Sequence, residues 1–141
     1  MNYLLDTNVI SELVARSPNP QVIDWLDQLD PDAVYVSVIT IGEIRKGIEK
    51  LAPSRRKETL TTWLDRDLVH RFAGHIVAIT TDVMLVWGEL TGRLERDGTP
   101  IAAMDSLIAA SALEGNYTLV TRNDTDFQHT GVHIINPWTM A

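Results

Sequence analysis

The chain has no cysteine among its 141 residues. Disulfides and thiolate-held metals are therefore excluded, and a reducing compartment suits it. No apolar run approaches the roughly 18 residues of a membrane span. The opening stretch "MNYLLDTNVI" has no basic region followed by a long apolar core. A secretory leader is not expected, and a cytoplasmic location is. Net positive charge is also missing: the formal charge is -7. That argues against a protein that coats nucleic acid with a basic surface. Internal repeats, low-complexity tracts and linkers are absent too. One domain spanning 1–141 is expected.

What charge there is lies unevenly. Residues 45–71 hold eight of the twelve Lys and Arg against four acids, a net +4, which leaves -11 for the rest. Carboxylates gathered in one place repel one another unless protons or a cation fill the gap.

Short β-branched or apolar runs alternate with helical periodicity. "NYLLD" (2–6), "VYVSV" (34–38), "HIVAI" (75–79), "YTLVT" (117–121) and "HII" (133–135) read as strands. Helices are expected over 8–17, 21–29, 40–51, 54–72 and 81–98. A further helix is expected from Thr99 and Pro100, as N-cap and first-turn proline, to about Glu114. This order predicts a three-layer α/β/α sandwich around a mostly parallel, about five-stranded sheet. In such sheets, sites form beyond the carboxyl ends of the strands. Asp6 follows the first strand there. Glu43 follows the second, and Asn123, Asp124 and Asp126 follow the fourth. Asp105 lies early in the apolar helix 101–113.

Each acid also has a plain structural reading. Asp6 can cap the first helix, as can Asn8. Glu43 stands at a capping-box distance from Thr40. Asp105 can complement a helix N-terminus, and Asp124 can make an Asx turn. Asp105 fits its plain reading least. From Ile101 to Leu113 no other charged residue occurs, so this helix is expected to be buried. A lone carboxylate in such a place needs a partner. Convergent carboxylates suit Mg²⁺ or Mn²⁺. The four histidines form no pair at helical ligand spacing, which argues against zinc.

Five stretches in order, "LLDTNVISEL" (4–13), "TIGEIRKGI" (40–48), "MDSLIAASAL" (104–113), "LVTRNDTDF" (119–127) and "INPW" (135–138), resemble a PIN-domain protein. The likeness is to the VapC/FitB-like toxins of bacterial type II toxin–antitoxin modules, and it covers nearly the whole chain. It implies a PIN fold and an Mg²⁺- or Mn²⁺-dependent endoribonuclease acting on structured RNA such as tRNA or ribosomal RNA. The family's acids fall on Asp6, Glu43, Asp105 and Asp126, with Asp6 and Asp105 expected to bind the ion directly. Thr7, Thr121 and Asn123 are expected to support them, and Asp124 is an additional acid inside the last motif. The resemblance further implies a cognate antitoxin over the acidic pocket and operator DNA reached only through that antitoxin. It also implies a homodimer built from helices such as 21–29 and 81–96. Arg45, Lys46, Lys50, Arg55, Arg56 and Lys57, with Arg122 nearer the acids, are candidates for guiding the RNA backbone.

Two other readings stand beside this one. A phosphatase with a D-x-D-x-T nucleophile would also begin with a strand ending in Asp, but "DTNVI" lacks the second Asp. A non-catalytic co-repressor subunit bound to a DNA-binding antitoxin is the second. The four tryptophans are read as packing residues, Trp63 in the basic helix least firmly.

Overall fold

The computed structural model describes residues 1–140. Its first strand, β1 (Tyr3–Leu5), shows why the domain has three layers. Neighbouring strand residues point to opposite faces. Leu4 enters one apolar cluster and Leu5 another, both essentially free of solvent. A strand apolar on both faces must be covered on both. The same division recurs in β4 (Thr118–Val120), where Leu119 joins the cluster of Leu4 and Val120 that of Leu5. In β2 (Val34–Ser37), Val34 and Val36 face the Leu5 side while Tyr35 packs against the other.

Two short strands, β3 (Ile76–Val77) and β5 (Ile134–Ile135), complete a sheet of order β3-β2-β1-β4-β5 in which every pairing is parallel. The chain starts in the middle, moves outward through β2 to β3, then returns to the far side of β1 for β4. The reversal of direction lies between β1 and β4, and connections diverging there leave a crevice. Leu5 pairs with Val120, so Asp6 and Thr121 emerge side by side at that crevice.

On the Leu5 side pack α1 (Thr7–Leu13), α2 (Pro20–Asp27), α3 (Val38–Glu49) and a segmented arm. On the Leu4 side pack α6 (Thr81–Arg96) and α7 (Ala103–Gly115), with Leu90, Leu94, Ile108, Ala109 and Ala112 buried between them and the sheet. No helix among the described residues is long and apolar enough to cross a membrane.

Several boundaries differ from expectation: α1 stops at Leu13 rather than running to Ser17, β3 is confined to Ile76–Val77, and three further differences have a clear physical cause. The amphipathic run 54–72 is not one α-helix. It divides into α4 (Arg55–Thr62), a π-helical stretch (Trp63–Leu68) and α5 (Val69–Arg71). Its apolar residues Leu60, Leu64, Leu68 and Phe72 recur every four residues and all pack on the Leu5 side. In a straight α-helix each four-residue step overshoots one turn by about 40°. The wider π turn takes up that drift and keeps the four side chains on one face.

The helix expected from Thr99 begins only at Ala103. Thr99 is already used: its N–H closes α6 on the Leu94 carbonyl (2.8 Å), while Gly98, at φ 75°, bonds Glu95 (3.2 Å). This helix stop needs a residue with positive φ, which glycine provides. Pro100 therefore lies in the connection. Likewise α3 begins at Val38 rather than Thr40, because the Ser37 hydroxyl caps it by accepting the Ile39 N–H (3.0 Å).

Candidate active site

Asp6 follows β1 and caps α1, so its plain structural reading is correct as far as it goes. One carboxylate oxygen accepts the Thr7 N–H (2.8 Å). The other accepts the Thr121 hydroxyl (2.9 Å) and the Asn8 carboxamide (3.4 Å). Asp6 is only 4% exposed. Burial raises its pKa, and repulsion from Glu43 adds to this, although the bonds from Thr121, Thr7 and Asn8 pull the other way.

Glu43 is not a capping-box residue. It lies inside α3 and accepts the Thr7 hydroxyl at 2.6 Å. That hydroxyl also lies 3.2 Å from the hydroxyl of Thr40, a fully buried residue. Thr7 thus ties the second carboxylate to the first across two elements.

Asp105 is the third residue of α7. The helix is not buried all round, as its charge-free sequence suggested: Ala102, Ala103 and Met104 are exposed, and the buried face runs through Ser106 and Ile108–Ala112. Asp105 stands at the edge, half-buried. Its pKa is pushed up to about 6, first by burial and then by repulsion from Asp6, Asp126 and Glu43.

Asp126 and Asp124 share a short 3₁₀ turn (Asp124–Phe127), pinned into the core by Phe127. The two acids play different parts. Asp124 is exposed and accepts the Thr125 N–H next to it (3.1 Å), a local turn bond. It is not among the charges that act on Asp105, whereas Asp126 is. Asp126 also shares a cleft wall with Asp105.

Thr121 is fully buried and central to the support. Besides bonding Asp6, it accepts the Asn123 N–H (3.0 Å). Asn123 contributes its backbone: its carbonyl takes the Asp126 N–H (3.0 Å), and its side chain has no bond among the described residues. Asn8 is the residue that sequence reasoning weighs only as a cap. Its carboxamide reaches Asp6 and Thr121 (3.3 Å) and accepts the Arg122 N–H (3.2 Å), joining the ends of β1 and β4. Its place two residues after Asp6 was the available signal.

The basic residues divide. Lys46 and Lys50 are exposed on α3 and its C-cap, and Arg45 is exposed beside Glu49 (3.6 Å). Arg56 is half-buried and donates to the Val14 carbonyl (3.2 Å). Lys57 bonds the carbonyls of Glu49 and Leu51. Arg122 forms no ion pair among the described residues; its guanidinium lies 5.4 Å above the Trp138 ring. Trp25, Trp63 and Trp138 pack against the Leu5-side core, and Trp87 donates to Ser106 (2.8 Å), which agrees with their reading as packing residues.

The donors fit a small hard cation. All are carboxylates, and their mutual repulsion is what a cation would relieve. Among the described residues no three acids or histidines are grouped to close on one ion unaided. Mg²⁺ keeps several waters and takes one or two carboxylates, so it does not require three in one group.

Comparison with known proteins agrees with this arrangement. The PIN domain model matches residues 3–132. "VapC ribonuclease Y4jK" of Sinorhizobium fredii is 31% identical over 138 residues, covering 98% of this chain and 99% of the relative. The crystal structure of FitAcB from Neisseria gonorrhoeae superposes with a TM-score of 0.93 at 36% identity, over 98% of this chain and 99% of that one. VapBC2 from Rickettsia felis, bound to a DNA fragment from their promoter, superposes at 0.81 with 28% identity, over 96% and 98%. The chain belongs to the PIN-domain family, among its VapC/FitB-like members.

Proposed function

We propose that this chain is the ribonuclease toxin of a toxin–antitoxin pair and cuts structured RNA at the carboxylate crevice with the help of Mg²⁺ or Mn²⁺. The observation that carries this reading is geometric: Asp6 emerges at the sheet's reversal point, Thr7 ties Glu43 to it, and Asp105 and Asp126 line one hollow, with repulsion from the other three acids helping to raise the Asp105 pKa. Carboxylates alone would repel a phosphodiester, so a bare cluster of this kind is a poor RNA site and a good cation site.

Asp6 and Asp105 would hold the ion directly. Glu43 and Asp126 would hold its waters. When bound, the ion supplies charge neutralisation at the phosphate and a lowered pKa for water. The chain's own part is to fix the carboxylates. Thr121, Asn8 and the Thr7 N–H hold Asp6 in one rotamer, and the Thr7 hydroxyl holds Glu43. Such support orients ligands that would otherwise swing apart. Arg45, Lys46 and Lys50 remain open to an RNA backbone. Arg56 and Lys57 already serve the protein's own carbonyls.

An antitoxin presenting a basic side chain complements this crevice. Operator DNA would be reached through the antitoxin, as the chain's own charge of -7 favours. We place the protein in the cytoplasm as a homodimer.

Purified, antitoxin-free protein with total cellular RNA tests the reading. The expected result is cleavage at few sites in Mg²⁺ or Mn²⁺, none in excess EDTA, and none after adding antitoxin. Well-folded protein that binds metal yet leaves RNA intact would favour the co-repressor reading.

A further inference from the structure

A separate hollow borders two of the acids. It measures about 480 Å³ and has Asp105 and Asp126 on one wall. Thr7 and Glu43 line a different groove. The remaining walls come from the α6–α7 connection, through Thr99, Pro100 and Ile101, and from the turn after β4, through Thr125, Gln128 and His129.

The backbone of this turn is held firmly while its polar heads stay open. Arg93 donates to the carbonyls of His129 (3.3 Å) and Thr130 (3.4 Å). The Thr130 hydroxyl donates to the Phe127 carbonyl (2.6 Å) and accepts the Val132 N–H (3.2 Å). Phe127 is anchored in the core. Gln128 and His129 are exposed, and among the described residues their side chains have no hydrogen-bond partner.

The chemistry of the walls selects a ligand class. No Lys or Arg lines the hollow, and its only fixed charges are two carboxylates. A phosphate would be repelled there. A neutral group with a hydrogen-bonding edge would not. Pro100 and Ile101 offer an apolar surface for a flat face, and the carboxamide, imidazole and hydroxyls offer donors and acceptors for an edge. The volume lies within the ~300–1,000 Å³ typical of small-molecule sites. Sequence-specific RNA recognition works mainly on bases splayed out of the stack.

We propose that this hollow takes one unstacked nucleobase beside the bond being cut, and that Gln128 and His129 read its edge. The placement beside the bond rests on the nuclease reading above. The occupancy by a base does not.

The test has two arms. In the first, the metal-free full chain is titrated with millimolar adenosine, guanosine, cytidine and uridine, and amide shifts are followed by NMR. Nucleosides carry no phosphate, so the acids do not mask binding. Shifts over residues 99–101 and 125–129 are expected for one or two of the four. A drop in affinity of fivefold or more is expected in Gln128→Ala and in His129→Ala. Both side chains are exposed, so neither change should unfold the chain. No shift with any nucleoside, shifts elsewhere, or variants that bind as well as the parent would overturn the proposal.

In the second arm, cut sites are mapped on randomised RNA. A base preference at one position next to the cut should relax in both variants, with metal dependence kept. Cutting with that preference intact in both variants would sink the base-reading role and leave the nuclease reading standing. Nucleoside binding by a protein that cuts no RNA would do the reverse.

Discussion

The two halves of the acidic crevice are built differently. On the β1 side, Asp6 is buried and receives three hydrogen bonds, and Glu43 is tied to it through Thr7. On the α7 side, Asp105 is half-buried and Asp126 exposed, and neither carboxylate has a hydrogen bond among the described residues. One half is pre-organised by the protein. The other is held together by nothing but the fold and pushed apart by its own charge. An ion that bridges the halves would do most of its work on the second.

The largest effect should come from that second half. Asp105→Asn keeps the shape and removes the charge. RNA cleavage should fall by at least ~10²–10³-fold, the scale of losing a principal electrostatic group in a catalytic site. Single-turnover cleavage with matched circular dichroism checks it; an undiminished rate would remove Asp105 from the site. In the first half the loss should be smaller, because three bonds share the task. Thr121→Val removes one of them without changing volume much. Metal affinity or activity should drop roughly 10–100-fold, as for other supporting residues. Isothermal titration with Mn²⁺ reads it, and Asp124→Asn, outside both halves, should leave the value unchanged.

Stability without metal sharpens the same contrast. Asp105 binds its proton more tightly folded, at about 6, than unfolded, near 3.8. Between those values the folded state holds more protons, so stability declines as pH rises from about 4 to 6 and is flat above. Asp105→Asn should be more stable than the parent at pH 7 and should lose this part of the pH dependence. Chemical denaturation in EDTA at several pH values reads both. A parent chain that gains stability across that interval while Asp105→Asn does not would reverse the sign and contradict the shift. Smallest of all should be the single charges on α3. Changing Lys46 or Lys50 to Ala should weaken RNA binding a few-fold and lower the salt slope by about 0.7 each. Neither change should move the cut site.

How far these halves could be read from the sequence follows from their construction. The order of strands and helices was legible because β1, β2 and β4 are short runs without a polar interior position, and runs so short and apolar suit strands covered on both faces. The acids were legible as a set because each stands just past a strand or early in a helix. Their division was not. Whether Thr7 reaches Glu43 or caps its own turn depends on how α1 meets α3, which no local pattern encodes. Asn8 looked like a cap because bridging two strand ends needs the β1–β4 register to be known. The π stretch hid inside a good amphipathic pattern, though its strict four-residue spacing, from Leu60 to Phe72, was a usable sign. The start of α7 was misplaced because Thr99 and Pro100 are good helix openers, and Gly98 draws Thr99 into closing α6 instead.

The central claim is that the two halves form a single cation site. Mn²⁺ binding by the metal-free chain, followed by electron paramagnetic resonance, tests it most directly in the parent, Asp6→Asn, Asp105→Asn, Asp126→Asn and Asp124→Asn. Binding should be lost with Asp6→Asn or Asp105→Asn, weakened with Asp126→Asn and unchanged with Asp124→Asn. Full binding in Asp105→Asn, or equal losses at Asp124 and Asp126, would contradict the claim.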